Sequence, residues 1–380
     1  MVKRLDDKSD FYNICKKIGV SEGGIPILKD KSELYYFYIK DLKTPACNIL
    51  KQDLLSIGAD LVVSKDTVTC KKAVSDALMI VNKKQLKSII KKMKLQPFGL
   101  KAVAENLKEH LSEKEYETKI MGVLNANEDS FFAGSRFVGK EAVSHIEKLI
   151  SEGADIIDIG GVSSRPGSVY VGEEEEFKRV RPIIDEIYKE KLFEKAVFSL
   201  DSFSPKCLKY ALERGFKIVN DITALENDEV AKIASEYRAT VVLMHKKGTT
   251  LDMQKDPKYD DVILEVDEFF KRRIQKAKSF GIKEIILDVG IGFGKRLEDN
   301  LTLIKNLKHF KKFGYELLVG ASRKSMIDMI IPSKVEERLP GTLAIHQESI
   351  RNGASVIRVH DVKEHKQMLE VYNAIKGMMK

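Results

Sequence analysis

The chain has 380 residues, of which 43% are hydrophobic, and it carries 65 basic and 57 acidic side chains with a net charge of +8. This length is enough for one domain of about 250 residues and a second of roughly 100. No run of 18 apolar residues occurs, and the basic start is not followed by an apolar stretch, so we expect a cytoplasmic protein with neither a membrane span nor a signal peptide.

Residues 1–117 carry most of the excess charge, with 22 basic against 16 acidic side chains. A helix is predicted to open at Thr44, and a strand is predicted over residues 60–63. The lysine-rich stretch 83–94 has apolar residues at helical spacing and no interleaved aromatics, so we interpret its lysines as a solvated helix face and expect no nucleic-acid partner. We predict an accessory α/β domain over residues 1–117, whose role the pattern does not indicate.

The cysteines indicate neither a disulfide framework nor a zinc site. They lie far apart, form no C-x-x-C pair and have no cluster of histidines near them, at positions Cys15, Cys47, Cys70 and Cys207. We expect all of them to be reduced thiols.

Residues 118–380 alternate short apolar runs with longer segments of helical period, which is typical of repeated βα units. The runs predicted as strands are 120–124, 155–159, 196–200, 217–220, 240–244, 284–287, 316–319 and 355–359. An open doubly wound sheet would carry a G-x-G-x-x-G turn after its first strand, and no such turn follows residue 124. We therefore predict an α/β fold, a (β/α)8 TIM barrel with an additional N-terminal α/β domain.

Polar residues follow every predicted barrel strand, at the end where barrel enzymes carry their chemistry. In chain order these are Asn125, Ser163–Gly167, Asp201, Asn220–Asp221, Met244–His245, Asp288, Ser322–Ser325 and Arg358–His360. A single polar residue after a strand is usually a helix cap or a turn former. Because all the predicted strands contribute, the pattern indicates one shared site.

The acceptors and amides in this set suit a flat heterocycle with ring N–H donors and a carbonyl, such as a pterin. A carboxylate such as Asp288 can accept two parallel N–H donors, and each bond to a charged group is worth about 1.5 to 3 kcal/mol. Asp201 and Asn220 would add an acceptor and an amide from separate strands. The alternative for Asp288 is a cap on the following helix.

Cationic residues after the second and eighth strands resemble a pyrophosphate clamp. Arg165 and Arg358 offer paired donors to phosphate oxygens, His360 adds a further donor, and Mg²⁺ held through Asn125 would neutralise a leaving group. A turn-forming role for Asn125 and a capping role for His360 remain as alternatives.

Lys324, at the start of the helix after strand seven, would bind a benzoate carboxylate with Ser325 and free backbone N–H groups. A simple N-cap is the alternative for Ser325.

The ordered motifs resemble the dihydropteroate synthase family over about 245 residues of the chain. The matching segments are Met121–Asn125, Asp129–Phe131, Ser164–Gly167, Asp201, Asn220–Ile222, Met244–His245, Asp288 with Gly290–Lys295, Ser322–Ser325 and Arg358–Asp361. The family condenses a dihydropterin pyrophosphate with 4-aminobenzoate in folate biosynthesis. No protein nucleophile is required, so catalysis would be electrostatic and positional.

The resemblance implies a role for each matching position. The pterin would be held by Asp201, Asn220, Met244, Asp288, Lys324 and Arg358. The pyrophosphate would face Asn125, Arg165, Arg358 and His360, with Asn125 also a magnesium ligand. The aminobenzoate pocket, which would also bind sulfonamides, would be lined by Ser164, Arg165, Pro166, Phe293, Lys324 and Ser325. Asp201, Lys324 and Arg165 would be the catalytic residues, and we expect a homodimer.

Three departures from the family pattern occur. Residues 126–128 read Ala-Asn-Glu where the family usually has Val-Thr-Pro, Val289 replaces a usual proline, and Ser164 replaces a usual threonine. We expect the first departure to alter how the loop after strand one closes over both substrates. It makes the carry-over weakest for the two positions that follow, Asp129 and Ser130.

Two other functions remain as alternatives to a dihydropteroate synthase. A methyltetrahydrofolate-dependent methyltransferase would share the acidic and amide residues but lack the Ser322–Ser325 segment, and the cobalamin motif D-x-H-x-x-G is broken here by Leu243. A non-catalytic pterin-binding protein is the other alternative.

N-terminal extensions similar to residues 1–117 occur on some dihydropteroate synthases. Residues 1–117 contain no pyrophosphokinase or aldolase motif, so we predict no fused enzyme of those kinds.

Overall fold

The structure, a computed structural model, describes residues 2–3, 5, 10–126, 137–162, 167–249, 252–253 and 255–378, with the backbone alone at 137–140 and 376–378. Its contacts divide the chain into two compact units. One comprises Met1–Glu113 with Tyr372–Lys380, and the other comprises Lys114–Val371. The domain boundary predicted between residues 117 and 118 stays a prediction.

The first unit combines helices with a three-stranded antiparallel sheet in the order β1-β3-β2. Its elements are α1 Phe11–Ile18, α2 Ile25–Ser32, β1 Leu34–Lys43, α3 Thr44–Leu55, β2 Asp60–Val63, β3 Val74–Asn82, α4 Lys83–Met93 and α5 Leu100–Glu109. Helix α4 starts at a capping box in which Asn82 and Gln85 exchange hydrogen bonds, and its apolar face is buried in the core of the unit. The predicted α/β character, the helix at Thr44 and the strand over 60–63 are confirmed.

The second unit contains a closed barrel of eight parallel strands among the described residues. The strands are β4 Lys119–Asn125, β5 Ile156–Gly160, β6 Val197–Asp201, β7 Ile218–Asp221, β8 Thr240–Met244, β9 Ile285–Asp288, β10 Glu316–Val319 and β11 Val356–Val359. Strand β11 pairs with both β10 and β4, which closes the barrel. The predicted (β/α)8 barrel is confirmed, with strand ends within two residues of the predicted ones.

Helices lie between the barrel strands, as the helical period between the apolar runs predicts. They are α6 Phe137–Ser151, α7 Glu173–Lys189, α8 Pro205–Leu212, α9 Asp228–Glu236, α10 Val262–Ser279, α11 Leu297–Lys305, α12 Ser325–Ile330, α13 Leu339–Arg351 and α14 Val362–Met378. Within the described part of the chain, none of the helices has the length and apolar character to cross a membrane.

A layer of apolar side chains fills the barrel beneath its carboxyl end. The layer consists of Met121, Ile156, Ile218, Val242, Ile286, Leu318 and Val356. Because strand side chains alternate between faces, the residue two positions after each of these also points into the barrel. Several of those next residues are polar, namely Asp158, Asn220, Asp288 and Arg358, with Asp201 paired to Asn220 in register. The barrel mouth is therefore polar directly above an apolar floor.

Candidate active site

Arg358 joins two carboxylates at the barrel mouth. Its Nε donates to Oδ2 of Asp158 at 2.7 Å, and its Nη2 donates to Oδ2 of Asp201 at 2.8 Å. The Nδ2 of Asn220 donates to the same Asp158 oxygen at 3.0 Å. Four side chains from β5, β6, β7 and β11 thus form one hydrogen-bonded cluster, which brings together three of the predicted pterin residues.

The cluster sets the charge of the mouth. Burial raises the pKa of Asp201 to about 7, against the lowering effect of Arg358. Burial acts to lower the pKa of Arg358, but the two carboxylates outweigh it and raise that pKa. The guanidinium is therefore permanently charged, whereas Asp201 titrates near neutral pH and can carry either a proton or a negative charge opposite a ligand.

Sequence reasoning missed Asp158. It lies inside the predicted strand 155–159, whereas the predicted site consists of residues at the ends of strands. The side chain is fully buried, and its Oδ1 has no hydrogen-bond partner within the described ranges. The available signal was an aspartate flanked by isoleucines in an apolar run, because buried aspartates are rare unless they are paired.

Asp288 ends strand β9 with its carboxylate in the mouth and only 7% of its surface exposed. Its Oδ1 accepts a hydrogen bond from the backbone N–H of Gly290 at 2.7 Å. Burial raises its pKa, opposed by that bond and by the charges of nearby lysines. Met244, at the end of β8, pairs with Asp288 in register and is buried beside it, as the prediction of a shared site requires.

Lys295 holds the loops after β8 and β9 together. Its Nζ donates to the carbonyl oxygens of Gly290 at 2.9 Å, Phe293 at 3.1 Å and His245 at 3.2 Å. Burial lowers its pKa to about 7. Lys295 belongs to the matching segment Gly290–Lys295, but the sequence alone indicated no role for it. It fixes the backbone next to Asp288.

Lys324 stands at the N-cap position of helix α12. Its Nζ contacts the carbonyl oxygen of Ile291 and lies 4.4 Å from the centroid of the Phe293 ring. Burial lowers its pKa to about 8. Ser325 is the exposed first residue of the helix and not its cap, so the N-cap alternative for Ser325 is wrong. The structure brings together the Lys324 cation and the Phe293 ring, and Ser325 follows Lys324 directly in the chain.

Arg323 is engaged within the protein. Its Nε and Nη2 donate to the two carboxylate oxygens of Asp361 at 2.9 and 2.7 Å, and its backbone has a left-handed φ of 54°. The pair ties the loop after β10 to the loop after β11. The imidazole Nδ1 of His360 lies 2.9 Å from Oγ of Ser322 across the same two loops, with the histidine exposed at the mouth.

Asn125 ends strand β4 in register with Gly160. A side chain at Gly160 would place its Cβ 3.7 Å from Oδ1 of Asn125 and 3.8 Å from Cβ of Asp201, so the glycine keeps open the space between them. No group of three or more His, Cys, Asp or Glu side chains within the described residues could hold a metal. An amide oxygen suits Mg²⁺, which takes few protein ligands when substrate phosphates supply the others.

Some predicted residues lie outside the described ranges. They are Asp129, Ser130 and Phe131 after β4, and Ser164, Arg165 and Pro166 after β5. Their roles in pyrophosphate and aminobenzoate binding stay predictions.

The chain is similar to known proteins across this site. The family model described as "Pterin binding enzyme" matches residues 121–360. A "Bifunctional dihydropteroate synthase/dihydropteroate reductase" of Helicobacter pylori is 39% identical over 376 residues, with 99% of each chain covered. The dihydropteroate synthase of Escherichia coli is 40% identical over 258 residues, which cover 67% of this chain and 90% of the relative.

A solved structure has the same barrel. The dihydropteroate synthase of Yersinia pestis with a sulfonamide drug superposes with a TM-score of 0.64 and 33% identity, covering 69% of this chain and 95% of that chain. The fold, the matched residues and the relatives agree, and this chain belongs to the dihydropteroate synthase family of pterin-binding enzymes.

Proposed function

We infer that this protein is a dihydropteroate synthase, which joins 6-hydroxymethyl-7,8-dihydropterin pyrophosphate to 4-aminobenzoate. The bond between the pterin methyl carbon and the pyrophosphate oxygen breaks, a bond from that carbon to the arylamine nitrogen forms, and the amine releases a proton. The products are 7,8-dihydropteroate and pyrophosphate. The observation that carries this function is the Arg358 cluster with Asp158, Asp201 and Asn220 in the same mouth as Asp288.

Pterin binding would use the two mouth carboxylates. Asp288 is buried and its Oδ1 is oriented by Gly290, so a ring N–H and the exocyclic amine can supply the donors that a buried carboxylate needs. Asp201 would face the positive charge that develops on the pterin as pyrophosphate leaves. Its raised pKa means that a cationic ring would restore its charged form.

Departure of pyrophosphate would be assisted by cationic and donor groups. Arg358 uses Nε and Nη2 within the cluster, so Nη1 is the atom that can reach the leaving group. His360 is exposed two residues further along the chain, and Arg165 would join from the loop after β5. We propose Mg²⁺ as the cofactor, with Asn125 as its ligand from the protein. It would neutralise charge on the departing pyrophosphate.

The arylamine would bind beside the β10 loop. Lys324 offers a cation for the benzoate carboxylate, Phe293 offers a ring face and Ser325 a hydroxyl at the helix start. We propose that Ser164 and Pro166 also line this pocket. Because a sulfonamide resembles 4-aminobenzoate in shape and charge, sulfonamides should compete with it for this pocket.

Turnover tests the proposal. The purified chain with the dihydropterin pyrophosphate, 4-aminobenzoate and Mg²⁺ should release pyrophosphate and form 7,8-dihydropteroate. Release without 4-aminobenzoate consumption would indicate hydrolysis only, and absence of both would favour the non-catalytic pterin-binding alternative. Methyl transfer from methyltetrahydrofolate would favour the methyltransferase.

We also propose a second activity for the first unit, the reduction of 7,8-dihydropteroate. The H. pylori relative whose name contains both activities matches 99% of this chain, whereas the E. coli synthase matches only 67%. The part of this chain that the E. coli synthase does not match is therefore the candidate for the reductase activity. The reaction requires a two-electron donor, of the reduced nicotinamide or reduced flavin class, and a proton, and it gives tetrahydropteroate.

A paired assay tests the second activity. The full chain should oxidise reduced nicotinamide, with or without added flavin, when 7,8-dihydropteroate is present. A truncated chain beginning at Lys119 should keep synthase turnover and lose the reduction. Equal reduction by both chains would remove the activity from the first unit.

We propose that the protein is a cytoplasmic homodimer. A contiguous apolar segment at the end of α12 is exposed, including Met329 and Ile331 at 63% each and Ile330 at 55%. Exposed patches of this kind mark protein interfaces. Sedimentation of the full chain should give twice the mass of the monomer, and Ile331→Asp should shift it toward one chain.

A further inference from the structure

Two fully buried histidines, His346 on α13 and His365 on α14, lie behind the loop that carries Lys324. The backbone N–H of Ala321 donates to Nε2 of His346 at 3.0 Å. Nδ1 of His346 lies 2.8 Å from Nε2 of His365, and Nδ1 of His365 lies 2.6 Å from the carbonyl oxygen of Asp361. The four ring nitrogens connect the loop after β10 to the loop after β11 through two helices.

The ends of this chain of bonds determine where its protons lie. A backbone N–H can only donate, so Nε2 of His346 carries a lone pair and its Nδ1 carries the proton. The Nδ1–H of His346 donates a hydrogen bond to Nε2 of His365, so the proton of His365 lies on its Nδ1. That Nδ1–H in turn donates to the carbonyl oxygen of Asp361, which can only accept. All four ring nitrogens are satisfied with both rings neutral, and any added proton would break a link.

Helix α13 grips the same loop at a second point. Oγ1 of Thr342 accepts a hydrogen bond from the backbone N–H of Arg323 at 2.9 Å. Thr342 and His346 are one helical turn apart and therefore on the same face. Together they bind two backbone N–H groups in the segment immediately before Lys324. The segment includes the left-handed Arg323, a conformation that persists only when its surroundings impose it.

We propose that His346 and His365 are positioning residues of the synthase, which act as a neutral relay that fixes the Ala321–Lys324 backbone and thereby the Lys324 ammonium. The relay rests on the synthase function proposed above, and its own hydrogen bonds involve none of the residues assigned to substrate contact. The charged groups that face it are Lys324 from the β10 loop, and Asp361 and Glu364 from the start of α14. Burial lowers the pKa of both histidines, which agrees with two neutral rings.

Substitution at His346 separates positioning from simple packing. His346→Phe keeps the ring volume but removes the acceptor for Ala321, and the KM for 4-aminobenzoate should rise about tenfold, the effect of one lost buried hydrogen bond. His346→Gln can place an amide oxygen near the position of Nε2 and should restore most of that loss. His309→Phe is the matched control, because His309 bonds Asp267 at 3.0 Å in the segment that precedes β10. It should lower the Tm and leave the KM unchanged.

A spectroscopic arm is independent of turnover. Nitrogen NMR of the full chain with labelled histidine should show both rings neutral with the proton on Nδ1. A proton on Nε2 of His346, or a KM rise as large in His309→Phe as in His346→Phe, would overturn the relay. A wild-type chain without synthase turnover would instead contradict the proposed function, and the tautomers would still decide whether the relay exists.

Discussion

The Nε of Arg358 lies 2.7 Å from Oδ2 of Asp158, a residue 200 positions earlier in the chain. The two strands that carry them, β11 and β5, flank β4, so they approach only because the barrel closes through β4. The same oxygen accepts from Asn220. Asp158 therefore orients two predicted pterin residues while it remains fully buried beneath them.

Removing this carboxylate should destabilise the protein. In Asp158→Ala, Arg358 loses one of its two partners inside the barrel, and breaking a buried ion pair in this way costs about 3 kcal/mol or more. Urea unfolding measures the loss. Asp185→Ala is the control, because the ion pair of Asp185 with Arg214 is on the outside with 43% of the aspartate side chain exposed, where a pair contributes about 0 to 1 kcal/mol. Equal losses in the two variants would contradict a structural role for Asp158.

Pterin affinity should depend on Asp288. Asp288→Asn keeps the volume and the acceptor for Gly290, but its amide N–H groups would oppose the ring donors, so binding should weaken by about 2 kcal/mol or more. The fold should be no less stable, since a buried carboxylate with a raised pKa is replaced by a neutral group. Calorimetry with 6-hydroxymethyl-7,8-dihydropterin measures the affinity.

Asp221, a buried aspartate whose two carboxylate oxygens accept hydrogen bonds within its own turn, is the control for that variant. Asp221 bonds to Thr223 and Leu225 within its own turn. Asp221→Asn should therefore lower stability and leave pterin affinity unchanged. Unchanged affinity in Asp288→Asn would place the pterin elsewhere.

The barrel and most of its mouth could be predicted because both follow local rules. Alternating apolar runs and helical segments specify βα units, and the carboxyl-end rule identifies residues such as Asp201 and Asp288 without knowledge of their distances. That rule did not identify Asp158, because this residue lies two positions before the end of β5. Its importance depends on Arg358, which only the closed barrel brings near.

Buried lysine and histidine networks could not be predicted for a similar reason. The three carbonyl partners of Lys295 and the relay from His346 to His365 involve loops and helices that no periodic pattern places together. Arg323 lies within the Ser322–Ser325 segment that the sequence predicts as part of the site, whereas the structure pairs it with Asp361. A positive charge in a motif does not reveal whether its partner is a ligand or the protein.

Lys295 should make stability depend on pH above neutrality. Its pKa is lowered to about 7 in the folded state, whereas an unfolded lysine holds its proton to about pH 10.4. Between those values the unfolded chain binds more protons, so this group makes the folded state more stable as pH rises. The free energy of unfolding of the wild type, minus that of Lys295→Met, should therefore increase from pH 7 to pH 10 at constant ionic strength. A constant or decreasing difference would contradict the buried, destabilised charge.

The loop after β9 should tolerate no side chain at Gly290. A Cβ there would lie 1.9 Å from the carbonyl oxygen of His245, and the residue has a φ of +67°. Gly281 has a φ of +84°, but its nearest neighbour would be 3.4 Å from an added Cβ. Gly281→Ala therefore measures backbone strain alone, about 1 to 2 kcal/mol, whereas Gly290→Ala adds an overpacking cost of about 1 to 3 kcal/mol.

The two glycine variants should also differ in binding. Gly290 donates to Asp288 and accepts from Lys295, so displacement of its backbone moves the carboxylate proposed to anchor the pterin. Gly290→Ala should therefore lose both stability in urea and affinity for the dihydropterin, while Gly281→Ala should lose stability only. If Gly290→Ala kept its affinity, the carboxylate would be positioned by its strand rather than by the loop, because the hydrogen bond from Gly290 would then be dispensable.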